Sequence, residues 1–457
     1  MTDRVIFQTA AALSDPYRTA GTLQGWQDGI AANAISNTRL MLAISAAFAG
    51  PLLMPLAAEG GGFHFRGGSS TGKTTALTAA GSVWGGGGST GFVRSWRATA
   101  NGLESIAALH SDTLLCLDEL GQIDAREAGQ AAYMLSNGQG KARAGRSGEA
   151  RRSQEWRVLF LSSGEISLAQ KMAEDRRRAM AGQEARLVDI TADAGKGLGI
   201  FEDLHGFASA DAFARHLKAQ STQHYGHAAR AFLAKLVPNI KEETEKAAAF
   251  VKGFQEDYCP ENADGQVSRV CGRFALAAAA GELATEYGVL PWNAGDAIFG
   301  AATCFSAWID GRGGTEPAED REALSAVRRF IEAHGTSRFE PMGLLIPKDG
   351  NGNPLEGRVI NRAGFVRLGE EEGGREYLFL PEAWKEVCAG LDPTRVAKVL
   401  ADRGFLRLGS DKKPQVKARL PGFASSVRVY VVKPTVLADP NDHGIAEDER
   451  CPFEGVE

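Results

Sequence analysis

The chain has no C-x-x-C pair, no histidine beside a cysteine at metal-ligand spacing, and six cysteines in all (Cys116, Cys259, Cys271, Cys304, Cys388, Cys451). That excludes a structural zinc site of the usual spacing and fits reduced thiols in a cytoplasmic protein. His224 and His227 stand three apart but lack a third ligand, so they read as solvated surface. Long apolar runs are equally scarce. Only Leu40 to Ala58 approaches the length of a membrane span, and it is Ala-rich, interrupted by Pro51 and Pro55, and without a basic flank. It reads as a buried helix followed by an extended segment. Met1 to Phe7 carries charge and no apolar core, so no secretory signal is read there and no membrane partner is expected. Neither sign of charge dominates. With 51 Lys and Arg against 56 Asp and Glu the formal net charge is -5, so any nucleic-acid contact must come from a local patch.

What the chain does have is length and glycine. Its 457 residues, 44% hydrophobic and 23% charged, suffice for two or three globular domains. Among 55 glycines, one stretch carries chemistry: Gly67-Gly68-Ser69-Ser70-Thr71-Gly72-Lys73-Thr74 matches G-x-x-x-x-G-K-[ST] at every fixed position. Gly67 and Gly72 let the backbone turn tightly enough for its N–H groups to face a polyphosphate. Lys73 then reaches the β- and γ-phosphates of ATP and the Thr74 hydroxyl takes a place on Mg²⁺. Residues 63–66 read as the strand before the loop, and 74–81 as the helix behind it, whose N-terminus, Thr75 included, adds donors for an anion.

Residues 113–117 form a continuous apolar run closed by Asp118-Glu119, a buried parallel strand with two carboxylates at the edge where ligands of such sheets sit. Asp118 is expected to hold Mg²⁺, and Glu119 to polarise the attacking water. A third apolar run, 156–161, ends at Ser162-Ser163, of which Ser163 is preferred as the group that contacts the attacking water or the γ-phosphate. In the stretch 185–190 Arg186 immediately precedes another strand at the module's edge, from which it could reach a nucleotide on the next subunit. Arg269 and Arg273 stand one turn apart on a helix; either one folds back on the γ-phosphate or makes a surface salt bridge. Between these runs, residues 138–152 carry Lys141, Arg143, Arg146, Arg151 and Arg152 against one acid, Glu149, in a hairpin with Gly145 or Gly148 near its tip; it is either a solvated basic loop or a grip on DNA phosphates. Gly85 to Gly88 reads as a mobile connection.

These features divide the chain into an N-terminal helical part (1–58), an α/β P-loop core with a parallel sheet (59–200), a helical lid region (201–315), a winged helix (320–435) and a disordered acidic tail (436–457). In the winged helix, residues 392–403 are the expected recognition helix, with Lys412, Lys413, Lys417 and Arg419 on or near the wing. It serves either as a DNA reader or as a protein-binding module.

The Asp-Glu pair after the second apolar strand, the serine after the third and the arginine before the next resemble an AAA+ ATPase. More closely, the strings AFAGPLL, GFHFRGGSSTGKTTAL, SWRATANGLE, LDELGQID, YMLSNGQGKARA and LSSGE resemble the family called domain of unknown function 927, over residues 20–310, with the tail from 320 to 435 similar to the winged helix that follows it. That family includes helicases of phages and chromosomal cassettes similar to minichromosome-maintenance helicases. The resemblance implies a Walker A loop at Gly67 to Thr74, a Walker B pair at Asp118 and Glu119, sensor 1 at Ser163, an arginine finger at Arg186, sensor 2 at Arg273 or Arg269, and a pore hairpin at Lys141 and Arg143. It departs from the wider class in having Ser at sensor 1; members of the family often have a longer N-terminal part, sometimes with a primase-like domain, so the sequence is read as a shortened form or as the motor half of a larger machine, and no primase activity is expected of it. The expectation is therefore an ATP- and Mg²⁺-dependent helicase or translocase of a mobile element, assembled as a homo-oligomeric ring, a hexamer by resemblance, on single-stranded or forked DNA, with a primase or loader as a further partner. The competing expectation is a nucleotide-controlled binding switch.

Overall fold

The computed structural model describes residues 15–437, apart from 89–90, 142, 145–149, 152, 178–180, 352–358 and 370–373. The chain divides into two compact units after Thr315.

The first unit is built on a five-stranded parallel sheet. Its strands are β1 (Gly61–Arg66), β2 (Arg94–Ser95) and β3 (Leu114–Asp118), then β6 (Leu159–Gly164) and β7 (Leu187–Thr191), in the order β2-β3-β6-β1-β7. Between them, β4 (Arg143–Ala144) and β5 (Ala150–Arg151) pair antiparallel as a separate hairpin. Side chains alternate across the sheet as strand geometry requires. Phe63, Phe65, Leu114, Cys116, Leu159, Leu161, Val188 and Ile190 enter one core. Leu115, Leu117, Phe160 and Leu187 enter the other, with Trp96 and Trp156. Both faces are covered, which is why the strands read as unbroken apolar runs.

The helices of this unit are α1 (Leu23–Trp26), α2 (Thr38–Ala49), α3 (Lys73–Gly81), α4 (Ala100–Leu109), α5 (Ala125–Asn137), α6 (Leu168–Ala173) and α7 (Ala181–Glu184). After β7 come α8 (Ala210–Gln223), α9 (His227–Leu236), α10 (Ile240–Tyr258), α11 (Gly265–Glu286) and α12 (Asp296–Arg312). Every residue of α2 is buried. The apolar run that begins there packs against α3, α11 and α12. Among the described residues no helix is long and apolar enough to cross a membrane.

Two local expectations change. The third run pairs as residues 159–164, three later than its apolar letters suggest, because the ladder to β1 continues through Ser162↔His64 and Ser163↔Phe65. Both serines therefore lie inside a strand, not beyond its tip. The glycines at 85–88 are not a free connection: the Gly87 N–H donates to Ser221 O at 3.0 Å and the Phe92 N–H to Gly86 O at 2.8 Å, so they form a bonded turn.

The second unit contains α13 (Ala318–His334), β8 (Phe339–Pro341), β9 (Gly364–Leu368), β10 (Arg375–Phe379), α14 (Pro381–Val387), α15 (Pro393–Asp402), β11 (Leu406–Arg407), β12 (Val416–Ala418) and β13 (Val427–Val432). Its sheet runs β11-β13-β10-β9-β8, with β12 also paired to β13. Trp384 of α14 stacks on Tyr430 of β13, with ring centroids 4.3 Å apart. The other face of β13 packs Val429 and Val431 against Phe365 and Leu378. Of the expected acidic tail, residues 438–457 lie outside the described residues, while Val436 is buried in a short turn.

Candidate nucleotide site

The chain leaves β1 at Arg66, turns through residues 67–72 and enters α3 at Lys73. Gly72 is left-handed (φ 91°), and an added Cβ would sit 2.6 Å from Ile200 Cγ2, so this position admits only glycine. The motif makes the same demand of Gly67. There the limit is only space, since a Cβ would lie 3.1 Å from Ala192 Cβ, and Gly68 has nothing within 4 Å. Gly68, Ser69 and Ser70 are exposed at the tip, and the Thr71 hydroxyl donates to Gly68 O at 3.0 Å.

Within α3 the Ala76 N–H bonds to Gly72 O at 3.1 Å. The N–H groups of Lys73, Thr74 and Thr75 have no acceptor in the preceding turn and project from the positive end of the helix. The Thr75 side chain is buried, so only its backbone is available there. The Lys73 ammonium donates to Gly67 O at 2.8 Å and Gly68 O at 2.6 Å. It thus sits within the loop whose N–H groups would meet a polyphosphate.

Strand alternation brings the next groups together. Leu114, Cys116 and Asp118 share the face of β3 toward α3, and the Thr74 hydroxyl donates to the Asp118 carboxylate at 3.2 and 3.3 Å. Ser163, on the neighbouring β6, donates to the same carboxylate, and its oxygen accepts the Glu119 N–H at 3.1 Å. Glu119 is left-handed (φ 63°), a conformation that costs a non-glycine residue about 1–3 kcal/mol and gathers at functional sites. Its carboxylate accepts the Gly121 N–H at 3.3 Å.

Ser162 faces the opposite core. Trp96 Nε1 donates to its oxygen at 2.8 Å, and Ser162 Oγ lies 2.8 Å from His64 Nδ1. His64 Nε2 lies 3.0 Å from the Ile166 carbonyl, an acceptor, so Nε2 carries the proton and Nδ1 receives the serine hydroxyl. Burial holds this imidazole neutral, its pKa pushed down to about 4. The adjacent serines thus divide, Ser162 into the core and Ser163 to the Asp118-Glu119 pair.

A segment that carries no motif also backs the loop. After β7, Ala192 N–H donates to Arg66 O at 2.7 Å and Ile200 N–H to Thr71 O at 2.8 Å, while Arg66 pairs with Asp189 at 2.8 Å. Its only sequence signal is glycine at 195, 197 and 199, all left-handed.

The arginines lie elsewhere. β1 runs from Gly61 to Arg66, about 16–20 Å at the usual rise, and all three arginines stand at its far end from the loop. Arg273 is buried, donating to Ala185 O at 2.8 Å and Gly60 O at 3.3 Å, and burial lowers its pKa to about 10. Gly61 is needed for that approach, since a Cβ there would fall 2.2 Å from the guanidinium. Arg269 pairs with Glu59 at 3.1 Å. Neither reaches the Gly67–Thr74 loop of its own chain, which corrects the expectation that one folds back on a γ-phosphate there. Arg186 stacks 4.2 Å over the Tyr133 ring, donates to Asn137 Oδ1 at 3.2 Å and to Gly182 O at 2.8 Å, and lines a cleft of about 330 Å³ with Glu59, Asn137, Arg157 and Arg269.

Of the basic hairpin, Lys141 is exposed and its N–H donates to buried Glu104 at 3.3 Å. Arg143 lies on β4, and Arg146 is outside the described residues.

The model of the family described as domain of unknown function 927 matches residues 1–155. That span holds the Gly67–Thr74 loop, Asp118 and Glu119, and stops short of Ser163 and Arg186. Among solved structures, one described as "SCCmec type IV Cch - active helicase" is similar with a TM-score of 0.65 at 19% identity, over 92% of this chain and 72% of that one. At that identity the likeness is one of fold. No curated protein matches the chain.

Proposed function

We propose that the chain is the ATP-hydrolysing subunit of a ring-forming AAA+ motor, a DNA helicase or translocase of a mobile genetic element. The observation that carries this reading is the junction of Thr74, Asp118, Ser163 and Glu119 beside the Gly67–Thr74 loop, brought together from the ends of two strands and one helix. Two supports are independent of it. The strand order separates the Asp118 strand from the loop strand by the Ser163 strand, and the similar fold belongs to a structure described as an active helicase.

In this reading loop N–H groups and Lys73 hold the triphosphate. Thr74 and Asp118 supply the hard oxygen ligands that Mg²⁺ prefers, and the ion would neutralise phosphate charge. Glu119 removes a proton from water as its oxygen bonds to the γ-phosphorus and the bond to the ADP oxygen breaks. Ser163 acts as a positioning residue, since its hydroxyl ties Asp118 to the Glu119 backbone. Arg186, at the far edge of the sheet, acts on the nucleotide of the next subunit in a ring, with six as the expected number. Lys141, Arg143 and Arg146 grip single-stranded DNA in the channel. The helices and the mixed, mostly antiparallel sheet of the second unit are read as a winged helix.

The deciding experiment measures steady-state ATP hydrolysis with and without single-stranded DNA. Stimulation by DNA, abolished by Glu119→Gln, is expected. Hydrolysis that no length of DNA alters would replace the motor with a nucleotide-controlled switch.

A further inference from the structure

Residues 407–428 of the second unit contain six Lys or Arg (Arg407, Lys412, Lys413, Lys417, Arg419, Arg428) and a single acid, Asp411. Two of these cations are neutralised within the unit. Arg407 pairs with buried Glu376 at 2.5 Å and Lys413 with Asp411 at 3.0 Å. Lys412, Lys417, Arg419 and Arg428 are exposed and have no acidic partner among the described residues.

Their arrangement is specific. Lys417 of β12 stands directly across from Arg428 of β13, and Arg419 follows Lys417 by two residues on the same face. Opposed cations in a β-ladder have Cβ atoms only about 4.5–5.5 Å apart and destabilise the pairing. Among the described residues no carboxylate relieves that repulsion, although the fold places acids against other arginines. Beneath the charged face, Val416, Ala418, Leu420, Val427 and Val429 pack with Phe365 and Leu378, so the ribbon is anchored. By contrast, the arginines of the expected recognition helix are occupied: Arg395 of α15 pairs with Asp320 at 3.0 Å, and Arg403, just past its end, pairs with Glu316, which leaves Lys398 as the one exposed cation of α15 without an acidic partner among the described residues.

We infer that the β12–β13 ribbon, and not α15, is the nucleic-acid surface of the second unit, and that it takes the phosphate backbone of duplex DNA without reading sequence. A DNA strand offers one charge per about 3.4 Å of axis, so adjacent cations on a ribbon each find a phosphate in any register. Two strands about 4.8 Å apart also fit a major groove about 12 Å wide. The choice of DNA over another polyanion rests on the motor reading above.

The test compares the full-length chain with its Lys417→Gln/Arg419→Gln/Arg428→Gln variant. Binding of a labelled 30-base-pair duplex is titrated from about 50 to 300 mM salt without nucleotide, a range over which phosphate contacts dominate affinity. Thermal melting confirms that both chains are folded. The variant should bind about tenfold or more weakly, and the slope of log K against log salt should shrink by about 2 to 3, close to 0.9 for each phosphate that the variant no longer neutralises. An unchanged slope overturns the proposal, as does poly-L-glutamate binding that the substitutions abolish while the duplex titration stays put, which would assign the ribbon to an acidic protein. Parallel ATPase assays of the wild type keep the two readings apart. DNA-stimulated hydrolysis with an unaltered duplex titration of the variant sinks the ribbon alone, whereas a ribbon-dependent duplex complex without stimulation sinks the motor alone.

Discussion

Ser163 and Asp118, forty-five residues apart, meet through the serine hydroxyl and the carboxylate on adjacent strands. The same carboxylate receives the Thr74 hydroxyl at 3.2 Å, so a hydroxyl on each side holds it beside the Gly67–Thr74 loop. Removing the Ser163 hydroxyl with Ser163→Ala should loosen both Asp118 and the Glu119 backbone. An ATPase assay with magnesium titration should show turnover reduced by about 10- to 100-fold with nucleotide affinity changed far less, the pattern of a site whose groups are present but badly placed.

Glu119→Gln retains shape and removes the proposed base. Turnover should fall by about 10²–10⁴-fold while ATP still binds, as fluorescent-nucleotide titration beside an ATPase assay would reveal. Equal loss of binding would instead make the carboxylate a ligand.

In the ring proposed above, Arg186 stands at the far end of β1 from its own chain's Gly67–Thr74 loop, so its effect should depend on assembly. Arg186→Ala should reduce turnover by about 10³-fold or more without weakening nucleotide binding. Mixing it with Glu119→Gln subunits should restore activity at interfaces that pair an intact arginine with an intact glutamate, readable as a mixing-ratio curve in an ATPase assay.

Arg273 is a structural clamp by its contacts, and Arg269 an exposed ion pair. Arg273→Ala strands two carbonyls and should destabilise the first unit by about 2–4 kcal/mol in urea unfolding. Arg269→Ala should change stability by less than about 1 kcal/mol. A stable, inactive Arg273→Ala chain would point to catalysis instead of packing.

His64 and His110 are both buried, with pKa values pushed down to about 4 by desolvation. Unfolded, each binds a proton near pH 6.5, so between about 6.5 and 4 the unfolded chain holds more protons than the folded one. Stability therefore falls as pH drops through that window, by about 1.4 kcal/mol per pH unit for each histidine. Urea unfolding at pH 7 and pH 5 should show the loss, and His64→Gln should remove His64's share of the pH slope.

The loop, the Asp118-Glu119 strand and the expected helices are readable because their signals are local. G-x-x-x-x-G-K-[ST] is a run of eight residues, and an apolar strand closed by acids needs no knowledge of its neighbours. The strand ends are less readable. Ser162 and Ser163 look like a polar stop after residues 156–161, yet pairing with β1 carries the strand through them. In the second unit, β8 and β12 give no clear signal in the letters, because each has three residues and only its ladder partners make it a strand.

By itself the sequence determined which groups the proposed reading assigns to a triphosphate, because those groups belong to motifs whose spacing is set by backbone turns and strand ends. The tertiary structure alone decided where the arginines stand, since a helix can bring Arg273 to either end of a strand and only packing selects the Gly60 end. It also decided which cations of the second unit are already neutralised, because ion pairs such as Arg395–Asp320 join residues seventy-five positions apart, and a linear charge count cannot register them.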